Sequence, residues 1–306
     1  MKKFNSFFGA HMGVALLGAV MSLSSCSKDA EGVLNPLKNE ESIGCVPVRV
    51  HVNDFSYSVE DLPGTRSVVS PSSYDNVKVM TLAFYDGMTE VYSKTQLKND
   101  PSTYETFGDF SCSLPIGSYT MVVIGRGAGN DDVFTLTSPT VAGYTSEKVR
   151  ETFAKTQSVT IAGTAPVDLG EITLERVVSQ LGILSTDVPA ENVKIRATFG
   201  GGDKSFNPST GFAIANTGFT TTSALKEAGS AIGVGNFLFL ASNEEEMDVT
   251  IEVLNADDQV LYTRVVEDVP FKQNRLTYLR GALFNGSVSS SFKLETTWLT
   301  EVYKDF

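Results

Sequence analysis

Val46-Pro47-Val48-Arg49-Val50-His51-Val52 decides the fold class: valine recurs at every second position, and proline or a polar residue fills each gap. A period of two is that of a half-buried strand, because successive side chains leave a strand on opposite faces. Pro47 has no amide hydrogen for a ladder, so this strand is expected at a sheet edge or paired on one side only. Further along, Val77 to Phe84 is apolar on both faces, as a central sandwich strand requires. Asp86-Gly87 turns the chain back into Val91-Tyr92. Phe107 to Leu114 and Tyr119 to Gly125 flank the corner Leu114-Pro115-Ile116-Gly117-Ser118-Tyr119, where proline and glycine set a tight turn. Met247, Val249, Ile251 and Val253 alternate with Asp248, Thr250 and Glu252. Ser146 to Lys155 breaks the pattern: it carries capping residues and is expected as a short helix. Thr81-Leu82-Ala83-Phe84-Tyr85-Asp86 is echoed by Thr250-Ile251-Glu252-Val253-Leu254-Asn255. Short strands with frequent turns suggest sandwiches. Two β-sandwich domains, 45–175 and 176–306, fit both the echo and the length.

A different kind of sequence precedes the strands. Met1-Lys2-Lys3 is basic, Phe7 to Met21 is apolar apart from His11, and Leu23-Ser24-Ser25-Cys26 follows. This is the layout of a secretory signal, residues 1–25. Its apolar run is shorter than the roughly 20 residues that span a bilayer. Leu23 to Cys26 resembles the bacterial lipobox, which implies cleavage between Ser25 and Cys26 and acylation of Cys26. Residues 26–44 then form an acidic tether. The acyl group would hold the protein in the cell outer membrane. With the leader gone, 22 basic residues face 36 acidic ones. Phosphate backbones and anionic headgroups repel such a chain, so nucleic acid is not expected as a partner.

Few residues offer chemistry. Only His51 remains after the leader, which leaves no basis for a histidine triad or a histidine-rich metal site. No cofactor or metal is expected. Gly125 to Asp132 and Phe199 to Ser205 imitate phosphate loops. The first has no P-loop lysine, and the second places Asp203 where the motif needs glycine. Both are turns on this reading. Asn130-Asp131-Asp132 could begin a calcium site, but no further ligands can be located. Glu244-Glu245-Glu246 is a solvated charge run. The chain is not expected to be an enzyme. Cys45 and Cys112 form a candidate disulfide in an exported protein, or two buried thiols. Asp54 to Asn76 has no sustained period and is expected as a long loop. Arg66 in its middle is either a solvated arginine or a protease-processing site.

Taken in order, several of these motifs resemble one family. They are the lipobox, the acidic tether, the valine-rich first strand, the Arg66 loop, Phe84-Tyr85-Asp86-Gly87 and the Leu114-Pro115-x-Gly117-x-Tyr119 corner. Leu174-Glu175-Arg176-Val177-Val178 and Asn274-Arg275-Leu276-Thr277-Tyr278 extend the series. Together they resemble the fimbrillins, the type V pilins of anaerobic diderm bacteria, and their anchor-type relatives. The resemblance implies two transthyretin-like Greek-key β-sandwich domains on a surface-exposed lipoprotein of the fimbrium. It implies cleavage after Arg66, loss of the strand Val46 to Val52, and its replacement by a strand of another fimbrial subunit. The donor candidate is the tail from Phe292 to Phe306. A Cys45–Cys112 bond would instead staple the first strand in place, as suits an anchor or tip subunit. The competing reading is a glycan-binding surface lipoprotein, with Tyr74, Tyr104 and Tyr144 as sugar platforms. A host or bacterial surface ligand fits either.

Overall fold

The computed structural model describes residues 44–58, 66–129 and 133–284, and the backbone of 293–295. The leader, Ser25 and Cys26, most of the tether, the Asn130-Asp131-Asp132 run and the tail beyond 295 lie outside the described residues. In chain order the first half holds β1 Cys45–Ser58, β2 Arg66–Val69, β3 Val79–Asp86, β4 Thr89–Leu97, β5 Asp109–Pro115, β6 Gly117–Arg126, β7 Phe134–Ser138, β8 Val141–Tyr144, β9 Thr152–Ile161 and β10 Val167–Arg176. The second half holds β11 Ser179–Ser185, β12 Lys194–Phe199, β13 Ser205–Phe206, β14 Phe219–Thr222, β15 Gly233–Leu238, β16 Glu244–Leu254, β17 Val260–Lys272, β18 Leu276–Gly281 and β19 Lys293–Glu295. The chain is all-β, as its periodicity predicts.

The strands of the first half run in the order β2-β1-β10-β9-β6-β3-β4, with β5 also on β1. The sheet folds over on itself. β9 and β10 pair only through Glu175–Ala154 and Arg176–Phe153, so one layer turns into the other at that corner. Val48, Val50, Phe55, Phe110 and Leu174 of one layer meet Leu82, Phe84, Met121, Val123 and Phe153 of the other in a single core. The Phe55 and Phe153 rings lie 4.9 Å apart across it. The second half is a sandwich of two four-stranded sheets, β15-β11-β18-β19 and β14-β12-β16-β17. Leu181, Ile183 and Leu279 of the first pack on Ile195, Phe199, Val249 and Ile251 of the second.

A third core explains why Val77 to Phe84 is apolar on both faces. Leu82 and Phe84 face the first sandwich core, whereas Ala83 and Tyr85 face outward onto Tyr144, Phe206 and Phe239. That outer cluster is roofed by the small sheet β13-β8-β7, which draws strands from both halves. Phe206 and Phe239 stack with centroids 4.3 Å apart at its centre.

The corner motif has a specific cause. The Tyr119 hydroxyl donates to the Pro115 carbonyl at 3.0 Å and ties β6 back to the end of β5. A side chain at Gly117 would meet that hydroxyl at 3.0 Å, so the glycine makes room for the ring. Between β3 and β4, Gly87 takes φ +58°, a left-handed conformation that suits glycine.

The expected helix at Ser146 to Lys155 is absent. Residues 145–151 are bends and a bridge, and Thr152 onward is β9. The capping signal is local and weak. β9 instead pairs with β6 over ten consecutive residues and buries Phe153 completely, and this tertiary gain outweighs the local preference. The one helical element among the described residues is a single 3-10 turn at Pro101–Thr103, capped by Asp100.

Candidate assembly site

The site is built around β1. Its alternation places Val46, Val48, Val50, Val52 and Phe55 in the core, each at most 2% exposed, and turns Arg49 and His51 to solvent. Phe55 packs on Phe153 and also fills the space over Gly125, where a Cβ would come within 2.8 Å of its ring. Each such side chain contributes about 1.5–3 kcal/mol of apolar burial. β1 is therefore a major part of the core it covers.

The edge position expected for this strand is not observed. β10 runs parallel along one side, from Val48–Val167 to Ser56–Glu175. On the other side β5 pairs antiparallel over Cys45 to His51, and β2 takes over from Phe55 to Ser58. Between them the Val52 amide donates to the Gly108 carbonyl at 2.9 Å. Pro47 is tolerated because it precedes the first pair with β10 and is paired through β5 alone. His51 Nδ1 is hydrogen-bonded to the Asp109 carboxylate on β5, and the Asn53 side chain donates to Glu171 on β10 at 3.1 Å. Without β1, a slot would open with ladder groups on both walls and an apolar floor.

Arg66 is not in the middle of a loop. It opens β2 and pairs with Ser58, so β1 and β2 form a hairpin whose tip, 59–65, lies outside the described residues. β2 has four residues and pairs with β1 alone. A cut after Arg66 would therefore sever the backbone between β1 and the strands that follow it.

The candidate Cys45–Cys112 bond is not made: Cys112 is a free cysteine. The register gives the reason. Cys112 lies opposite Val48, whereas Cys45 lies opposite Pro115, three positions along the ladder. That is about 10 Å of strand, beyond the roughly 7 Å between Cα atoms that a disulfide spans. Burial pushes the Cys112 thiol up to about 12. β1 is held here by packing and ladder bonds, not by this bond.

Two of the three proposed sugar platforms are interior groups, and Tyr104 is half-buried. Tyr144 is 2% exposed and Tyr74 8%. Tyr104 packs edge-on against Phe107 with centroids 5.4 Å apart and donates to the Lys98 carbonyl. The second phosphate-loop mimic is closed by its own acid. The Asp203 carboxylate accepts from the amides of Lys204, Ser205 and Ala215, the groups that would have to face a phosphate. Among the described residues, no three His, Cys, Asp or Glu side chains gather as a metal site. No described helix is long and apolar enough to cross a membrane.

Two sequence motifs about a hundred residues apart meet at the junction of the halves. Arg176 pairs with Glu151 at 2.5 Å, with the two side chains 10% and 6% exposed. Tyr74 donates to the same carboxylate at 2.7 Å, and Arg176 donates to the Tyr74 hydroxyl at 3.0 Å. The guanidinium lies over the Phe153 ring and reaches Asn274. The Asn274 amide donates to the Val178 carbonyl, and the Gln180 amide to the Arg275 carbonyl. The sequence signals Arg176 and Asn274 separately, but nothing in it signals their contact or Glu151.

By fold the chain is all-β, as its strand periodicity implies. It belongs to the family of unknown function DUF6562, which matches residues 54–305. No curated protein matches its sequence. Among solved structures, it is similar to a candidate adhesin from Bacteroides ovatus at 10% identity and TM-score 0.50, over 86% of this chain and 98% of that one. The fimbrial anchor protein Mfa2 from Porphyromonas gingivalis aligns at 11% identity and TM-score 0.43, over 81% and 95% of the two chains. At these identities the likeness concerns the fold.

Proposed function

We propose that this protein is a structural subunit of a bacterial surface fibre. On this reading it is exported as a lipoprotein, held in the outer membrane through acylated Cys26, built from two sandwich domains and joined to other fimbrial subunits by strand exchange. The observation that carries the proposal is the construction of β1. It supplies five core side chains, has a ladder on each side, and is followed along the backbone by the short strand β2. A segment of that kind can be severed by one cut, and the slot it leaves can be refilled only by another extended strand. Its chemistry is assembly rather than catalysis.

Treatment with an arginine-specific protease tests this. Cleavage after Arg66 is expected to release a fragment that contains β1 and to produce SDS-resistant oligomers. Arg66→Ala should abolish both. Oligomers of unchanged yield from the Ala variant would rule out processing at this residue.

A second reading has its own support. β1 is paired on both sides and deeply packed, so an uncut chain would keep it, and the lipid with it, as a permanent anchor subunit. The N-terminus of the protein on cells separates the two. Acylated Cys26 marks the anchor, and Ser67 marks a processed shaft subunit.

A further inference from the structure

A cavity of about 330 Å³ lies away from β1, at the outer face of the β15-β11-β18 sheet. It is within the range that holds a small ligand. Its floor is cleared by glycines in mid-strand. Gly235 of β15 pairs with Gly182 of β11, which pairs in turn with Tyr278 of β18. The Tyr278 ring leans across Gly182, where a Cβ would meet it at 2.5 Å. Gly235 likewise gives its space to Gln180, whose Nε2 would lie 2.7 Å from a Cβ there, so the two glycines seat the Tyr278 and Gln180 side chains.

The charge of the walls is the reverse of the molecule's. The chain carries a net charge of −12, yet Lys148, Arg150 and Lys226 line this cavity and no aspartate or glutamate does. Lys148 and Lys226 form no ion pair with any described residue. Cations in a concave site focus a positive potential and draw in an anion. Gln180 and Ser223 add neutral polar groups, and Phe237 and Tyr278 add apolar ring surface.

We propose that this cavity binds a carboxylated sugar. The carboxylate would lie toward Lys148 and Lys226, a ring hydroxyl would meet the Gln180 amide, and the apolar face of the ring would rest on Tyr278. A bare anion would leave the ring surface and the Gln180 amide unused. A neutral sugar would leave Lys148 and Lys226 uncompensated. The site does not depend on strand exchange, so it stands whether or not Arg66 is cut.

Titration calorimetry on the purified protein tests the proposal, with glucuronate, N-acetylneuraminate, glucose and inorganic phosphate as probes. One or both sugar acids should bind saturably and weaken as salt is raised. The two acids distinguish a uronic from a sialic source. Glucose and phosphate should each bind at least about tenfold more weakly, since charge-assisted bonds and ring contact are both required. Lys148→Gln with Lys226→Gln should cost about tenfold in sugar-acid affinity with an unchanged melting temperature. Gln180→Ala should also weaken binding, and it serves as the independent variant if the double substitution unfolds. Absence of sugar-acid binding overturns the proposal. Equal binding of glucose or of phosphate, or unaltered affinity in the variants, does so too.

Discussion

At the scale of single residues, the structure gives sharp roles to side chains that the sequence leaves unranked. Glu151 and Arg176 form a buried ion pair with Tyr74 as a shared partner. Removing one member leaves the other charged and buried, which costs about 3–5 kcal/mol. Glu151→Ala should therefore lower the urea midpoint markedly. Glu151→Leu combined with Arg176→Met should lose less than the sum of the single changes, because the two sites are coupled. Cys112 makes a different prediction. A thiol raised from 9.0 to about 12 by burial holds about a thousandfold less thiolate at pH 8 than an ordinary one. Iodoacetamide should label the Cys112 peptide slowly in the native protein and rapidly in denaturant, as read by mass spectrometry. Fast native labelling would mean that β5 opens away from β1.

At the scale of elements, β1 shows how far periodicity reaches. The alternation from Val46 to Val52 identifies a strand and its inward face, and the structure agrees at every valine. It does not identify neighbours. Pro47 suggests an edge, but β5 and β10 occupy both sides, because proline excludes a ladder only at its own position. The strand also extends to Ser58, past the point where alternation fails. Bulges near His51 and Asp54 shift the register against β10, so Phe55 comes inward out of phase with the valines. Phe55→Ala should destabilise the fold by about 3–5 kcal/mol. It should also raise hydrogen exchange in β1 more than in β16, which would confirm Phe55 as the main fastener of this strand. Equal effects on both strands would count against that role. The missing helix at Ser146 to Lys155 teaches the same lesson: a capping signal is local, whereas the sheet that claims Thr152 to Ile161 is not.

At the scale of the whole molecule, the decisive feature is the third core. Ala83, Tyr85, Val122 and Ile124 of the first half share it with Phe206 and Phe239 of the second. Phe239→Ala should remove about 3–5 kcal/mol, and it should split a single thermal transition into two, because the lost contacts join the halves. A single transition shifted downward would place Phe239 within one half only. Sequence by itself determined the strand-rich class, the inward faces of β1 and β16, the Leu114 to Tyr119 corner and the scarcity of catalytic groups. These follow from short-range rules of pleat, turn and composition, which need only neighbouring residues. Tertiary structure alone decided that β1 is enclosed, that Cys112 cannot reach Cys45, that Arg176 meets Glu151, and that three cations line a cavity with no acid among them. Those facts depend on register and on contacts between residues tens to hundreds of positions apart, which no local pattern encodes.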